Sequence, residues 1–109
     1  MSSAVPTITP VEVNQWKLDG QVFSFLDIRE IHEVTVSRLT EFNIPMAFCL
    51  SRQSEIPREH PVVVYCRTGG RSAATVSALI TKHGFTNLYS LEGGITRWCS
   101  EIAPETEVG

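Results

Sequence analysis

The residues best suited to chemistry lie together in Cys66-Arg67-Thr68-Gly69-Gly70-Arg71. The apolar run Val62-Val63-Val64-Tyr65 precedes them, and from Arg71 onward Ala73, Val76, Ile80 and His83 recur at helical spacing before Gly84. This pattern predicts a strand buried on both faces, a turn, and a helix that ends on a left-handed glycine. Cys66 then sits at the carboxyl end of a parallel strand, where open α/β sheets place their sites. In a turn containing Gly69 and Gly70, successive backbone N–H groups can converge on one point, and the helix start adds its positive dipole end. A sulfur at that point, flanked by Arg67 and Arg71, should ionise below the usual pKa of about 8.5 and act as a nucleophile.

The elements that must hold this loop follow from the rest of the chain. Thr9-Pro10-Val11-Glu12 reads as a capping box with proline at the first helical position, opening a helix to about Leu18. Asp19-Gly20 turns the chain into a strand over Val22–Asp27, and a short helical piece is expected around Ile31 to Val34. Asn43–Leu50 reads as a further short strand with its proline near the start. The polar stretch Ser51–His60 reads as a surface connection. Beyond Gly84, Phe85–Leu91 reads as a strand, and Ile95, Trp98, Cys99 and Ile102 mark one face of a last helix. Residues 103–109 are expected to fray. The alternation predicts one α/β domain over residues 1–109, ordered from about 7 to 102, with four or five mostly parallel strands and helices on both faces.

Cys66-Arg-Thr-Gly-Gly-Arg71-Ser72 resembles the active-site loop of the rhodanese-type sulfurtransferases in their single-domain form. Leu26-Asp-Ile-Arg29-Glu-Ile-His-Glu33 is similar to the family's Asp-x-Arg-Glu segment, and Leu91-Glu-Gly-Gly-Ile-Thr-Arg-Trp98 to its late Glu-Gly-Gly signature. The resemblance implies a cycle in which Cys66 takes a sulfane sulfur from a small anionic donor such as thiosulfate, holds it as a persulfide, and passes it to a thiophilic acceptor. Arg67, Thr68, Gly69, Gly70 and Arg71 would form the substrate-binding loop, with both arginines attracting the donor. It gives Asp27, Arg29 and Glu33 a structural part as an ion-paired cluster beneath the loop; a solvated charged turn is the alternative. Where many members carry Gly-His-Ile-Pro-Gly-Ala, this chain has Val36–Phe42, with neither histidine nor glycine. Its Arg38-Leu39 form resembles the domains fused to ubiquitin-activating-like enzymes that thiolate carrier proteins, so a protein sulfur donor or acceptor is a second class of partner.

Composition narrows the alternatives. A chain of 109 residues, 42% hydrophobic, can bury one core, and a net charge of -3 supplies no general basic surface for nucleic acid. No apolar run approaches a membrane span and the first ten residues lack a leader pattern, so a cytoplasmic protein is the default expectation. Three cysteines without framework or paired spacing argue against a disulfide scaffold and against zinc, and no cofactor is called for. Cys49 and Cys99 read as small core residues. His32, His60 and His83 show no spacing that marks a base. The competing functions are a cysteine phosphatase or arsenate reductase, whose anion loop is longer than the four residues between Cys66 and Arg71, and a non-catalytic relay or interaction module.

Overall fold

The computed structural model describes residues 5–104. The expectations for the first four and last five residues, including most of the fraying tail, lie outside that range. Four strands form one all-parallel sheet: β1 (Thr7–Ile8), β2 (Ser24–Asp27), β3 (Val62–Tyr65) and β4 (Leu88–Leu91), in the order β1-β4-β3-β2. Helices α1 (Pro10–Asp19), α2 (Ile31–Val34), α3 (Gly70–His83) and α4 (Gly94–Glu101) complete the fold. No helix among the described residues is long and apolar enough to cross a membrane.

β3 is central and buried at all four positions. Because side chains alternate along a strand, Val62, Val64 and then Cys66 face one layer while Val63 and Tyr65 face the other. The first layer is α3 with the 44–56 segment, where Val76 and Leu79 meet Leu26, Ile44 and Ile56. The second is α1 and α4, where Val13, Ile95 and Trp98 close over Ile8, Tyr65 and Leu91. Helices therefore cover both faces of the sheet. The sulfur of Cys66 belongs to the α3 layer, under the start of that helix.

The helix signals act locally as their chemistry requires. Thr9 and Glu12 exchange the reciprocal hydrogen bonds of a capping box, and Gly20 and Gly84 end α1 and α3 with φ of 74° and 67°. Two strands are shorter than their apolar runs. β2 begins at Ser24 because the Gln21 N–H is still bound to Trp16 O. β4 begins at Leu88, since Phe85 is spent on filling the α3 layer and Asn87 O accepts from Val62 N.

The expected strand over Asn43–Leu50 is a correction. Only Asn43 bridges to Asp27; the next donor facing β2, Met46 N, goes to Ile28 O, out of ladder register, and Met46–Phe48 forms a 3₁₀ turn. The two-residue strand β1 escaped the sequence reading altogether. Strands so short carry no periodicity, and this one exists because Pro6 O and Ile8 O accept from Ser90 N and Glu92 N.

Beneath the sheet's carboxyl edge lies a buried ionic network. Arg29 and Asp27 are both fully enclosed; the guanidinium Nη2 and Nε donate to Asp27 at 2.8 and 3.0 Å, and Nη2 also reaches Ser37 O. Tyr65 donates its hydroxyl to Asp27 Oδ2 at 2.8 Å and accepts from Leu39 N at 2.9 Å. Such enclosure is tolerable only when every charge is paired and hydrogen-bonded, which excludes the solvated-turn reading. Tyr65→Phe should lower stability by about 1–3 kcal/mol by stranding the Leu39 N–H and removing one donor from Asp27. Urea unfolding checks this, and a midpoint equal to wild type would show that water replaces the hydroxyl.

Candidate active site

The polypeptide leaves β3 at Tyr65 and reaches the first turn of α3 within a few residues. Gly69 is the pivot, with φ of 109°, and a Cβ there would stand 3.3 Å from Gly93 N. Gly70 is different in kind. It already belongs to α3, one residue earlier than expected, and a Cβ on it would meet nothing within 4 Å.

The turn is held from behind by α4. Ile95 N donates to Cys66 O and Thr96 N to Arg67 O, both at 3.0 Å, using N–H groups that a helix start leaves without internal partners. To come this close, Gly94 adopts φ of 59° at a point where a Cβ would lie 2.5 Å from both loop carbonyls. No other residue fits. The late Glu-Gly-Gly segment is therefore part of the site's framework.

On the inner side, the loop's donors meet the sulfur. Gly69 N and Ser72 N lie 3.1 and 3.4 Å from Cys66 Sγ, and the Ser72 hydroxyl lies 3.6 Å away. Burial raises the pKa of this enclosed thiol. The Ser72 N–H and hydroxyl, with the N–H groups of Gly69 and Thr68, more than reverse that, and the net direction is downward from 9.0. The other two cysteines behave oppositely: burial pushes Cys49 up to about 11, its thiol donating to Ile44 O, and raises Cys99 as well.

The two arginines have separate fates. Arg71 makes a bidentate pair with Glu33, at 2.9 and 2.8 Å, so its fork points to α2 and not across the loop mouth. Glu33 reaches Arg29 only through its backbone carbonyl, and the expected three-residue ionic cluster is thus two separate pairs. Arg67 and Thr68 are exposed, and no acid pairs with Arg67 among the described residues. The expected loop stops at Arg71 and so omits Ser72. The signal was available, because the third residue of a helix also carries a free N–H. Away from this loop, a cleft of about 540 Å³ borders the outer side of β2 at Phe23, Phe25 and Phe42; none of the Cys66 loop residues lines it.

The pattern of the rhodanese-like domain matches residues 9–101. The chain belongs to the rhodanese-like domain family. Among proteins of this family, a sulfurtransferase of Allochromatium vinosum is 31% identical over 106 residues, spanning 93% of this chain and 98% of that one. The probable adenylyltransferase/sulfurtransferase MoeZ of Mycobacterium tuberculosis is 31% identical over 102 residues, covering 91% of this chain. This rhodanese-like chain spans about a quarter of that relative's length, 26%. The crystal structure of a rhodanese-related protein from Thermoplasma volcanium superimposes with a TM-score of 0.76 at 28% identity, over 91% of this chain and 95% of that one.

The Glu33–Arg71 pair also sets an acid limit on this rhodanese-like fold. The hydrogen bond from Arg71, helped by the Glu30 N–H and by the charges of Arg71 and then Arg29, outweighs burial and holds the Glu33 carboxyl at about 2 against an ordinary 4.5. A carboxyl with a depressed folded pKa gives stability that is complete above its unfolded value and lost as pH falls toward the folded one. Stability should therefore decline between about pH 4.5 and 2. Glu33→Gln should be less stable at neutral pH and show a flatter decline across that window. Urea midpoints measured against pH check it; identical slopes for both proteins would remove Glu33 from the account.

Proposed function

We propose that this chain is a sulfurtransferase that carries sulfane sulfur as a persulfide on Cys66, moving it from a small anionic donor such as thiosulfate to a thiophilic acceptor. The observation that carries this reading is the convergence of the Gly69 and Ser72 N–H groups on Cys66 Sγ, which favours the thiolate without a histidine base. In the first half-reaction the thiolate attacks the outer sulfur of thiosulfate. A bond forms between Sγ and that sulfur, the donor's S–S bond breaks, and sulfite leaves with the electron pair. In the second, a nucleophile such as cyanide or a thiolate attacks the outer sulfur of the persulfide, and Cys66 departs as a thiolate.

The similarity to an adenylyltransferase/sulfurtransferase favours a protein sulfur donor or acceptor as one physiological partner. A phosphatase reading is weaker. The inward N–H groups already meet on a single sulfur atom, and the arginine that would clasp a phosphate is committed to Glu33.

Intact-mass spectrometry after incubation with thiosulfate tests the proposal. The wild type should gain one sulfur atom, removable by reductant, and Cys66→Ser should gain none. A gain that persists in Cys66→Ser, or no gain in a folded wild type from thiosulfate or from a persulfide-bearing protein donor, would sink it. Arg67→Ala should raise KM for thiosulfate several-fold while changing kcat little, because an exposed cation aids encounter with an anion and not the bond exchange. Steady-state kinetics at two ionic strengths check this; an unchanged KM would exclude the role.

A further inference from the structure

On β4, a buried hydroxyl stands where an aliphatic side chain would be expected. Ser90 pairs in register with Val64 and shares a sheet face with Leu88, next to Val62, Val64 and Cys66 in the α3 layer. It is 3% exposed, and its Oγ lies 2.8 Å from Ser72 Oγ, which is itself fully buried. Among apolar neighbours a serine costs stability compared with valine unless its hydroxyl has a specific partner. Its partner here is the residue that touches the reacting sulfur.

Proton counting shows what this contact decides. Ser72 has one hydroxyl proton and three neighbours within reach: Gly69 O at 3.1 Å, Cys66 Sγ at 3.6 Å and Ser90 Oγ at 2.8 Å. If Ser72 donated to Ser90, it would have nothing to give the sulfur. If Ser90 donates, the Ser72 proton is free for either Gly69 O or Sγ. Turning it to the sulfur strands no group, because Gly69 O already accepts from Ala73 N at 3.0 Å.

We propose that Ser90 is a positioning residue of the sulfur-transfer site, donating its proton to Ser72 so that the Ser72 hydroxyl can turn to Cys66 Sγ. This rests on the persulfide reading of Cys66. With the sulfur ionised, the Ser72 hydroxyl points to Sγ. Once a sulfur atom is attached and the charge has moved outward, it returns to Gly69 O. The charged groups around Cys66 are unaffected by this exchange: the field of Arg71 reaches the sulfur from α3, with Glu33 of α2 and Glu30 just before that helix acting on Arg71, while the groups on Ser72 and Ser90 are neutral.

The test needs no sulfur donor at its first stage. Thiolate absorbance near 240 nm is titrated in wild type, Ser90→Ala, and the equal-sized pair Ser90→Thr and Ser90→Val, with Cys66→Ser subtracted as the blank. Ser90→Ala and Ser90→Val leave the Ser72 oxygen without the bond that orients and polarises its hydroxyl. They should require a higher pH to ionise Cys66, and their persulfide formation at neutral pH should slow by up to roughly fivefold, the effect of one neutral hydrogen bond. The rates should recover at alkaline pH, and Ser90→Thr should stay near wild type. An unshifted titration in Ser90→Ala overturns the proposal, as does equal behaviour of Ser90→Thr and Ser90→Val. If wild type ionises as described yet accepts no sulfur, the persulfide reading fails while the titration still decides the part of Ser90.

Discussion

The site depends on two hydrogen bonds made on the side of the loop away from the sulfur. A trans peptide unit points its C=O and N–H in opposite directions. By accepting from Thr96 N, Arg67 O is held against α4, and the N–H of Thr68 in the same peptide is turned toward Cys66. The bond from Ile95 N to Cys66 O holds the preceding carbonyl against the same helix. Gly94 permits this approach, since any side chain there would collide with both carbonyls. The loop's entry and the Thr68 N–H are thus oriented from outside the loop, by a helix distant in sequence, while the Gly69 and Ser72 N–H groups come with the turn into α3.

This arrangement also explains why neither arginine has to stabilise the sulfur directly. The downward shift of the Cys66 thiol comes from N–H groups and a hydroxyl acting against burial. Backbone dipoles suit this better than a mobile cation, because they are already aligned and lose no side-chain entropy when charge forms. Arg71 is thereby free to tie α3 to α2 through Glu33, while Arg29 and Tyr65 join β2 to β3 through Asp27. Two acids spaced six residues apart serve two different joints of one frame.

Much of this was legible because local rules and tertiary packing agree. Thr9 and Glu12 form the capping box their spacing announces, four consecutive buried residues make β3, and Gly84 stops α3 where its pattern ends. The sequence reading failed where a long-range partner decides. β1 owes its two residues to β4 alone, and Asn43–Leu50 has strand composition but lacks an edge on which to continue past Pro45. The partner of Arg71 lies 38 residues away and the partner of Ser72 lies 18 away, distances over which neither spacing nor periodicity carries information. Gly93 and Gly94 were visible as a signature, but their work against Cys66 and Arg67 shows only once α4 is docked.

A sulfur carrier poses a particular difficulty for a rigid anion site. Adding one sulfur to Cys66 displaces the negative charge outward by roughly 2 Å, the length of an S–S bond. Donors anchored by α4 and by the first turn of α3 cannot follow it without unmaking the helix bonds that orient them. A hydroxyl can, because rotation about one bond redirects its proton at little cost. Ser72 is the one such group at Cys66 Sγ among the described residues, and it sits between the sulfur, an already satisfied carbonyl and a second buried hydroxyl. On the proposed persulfide cycle, the fixed N–H groups define where the charge begins, and the Ser72–Ser90 pair would supply the adjustment between the empty and the loaded cysteine.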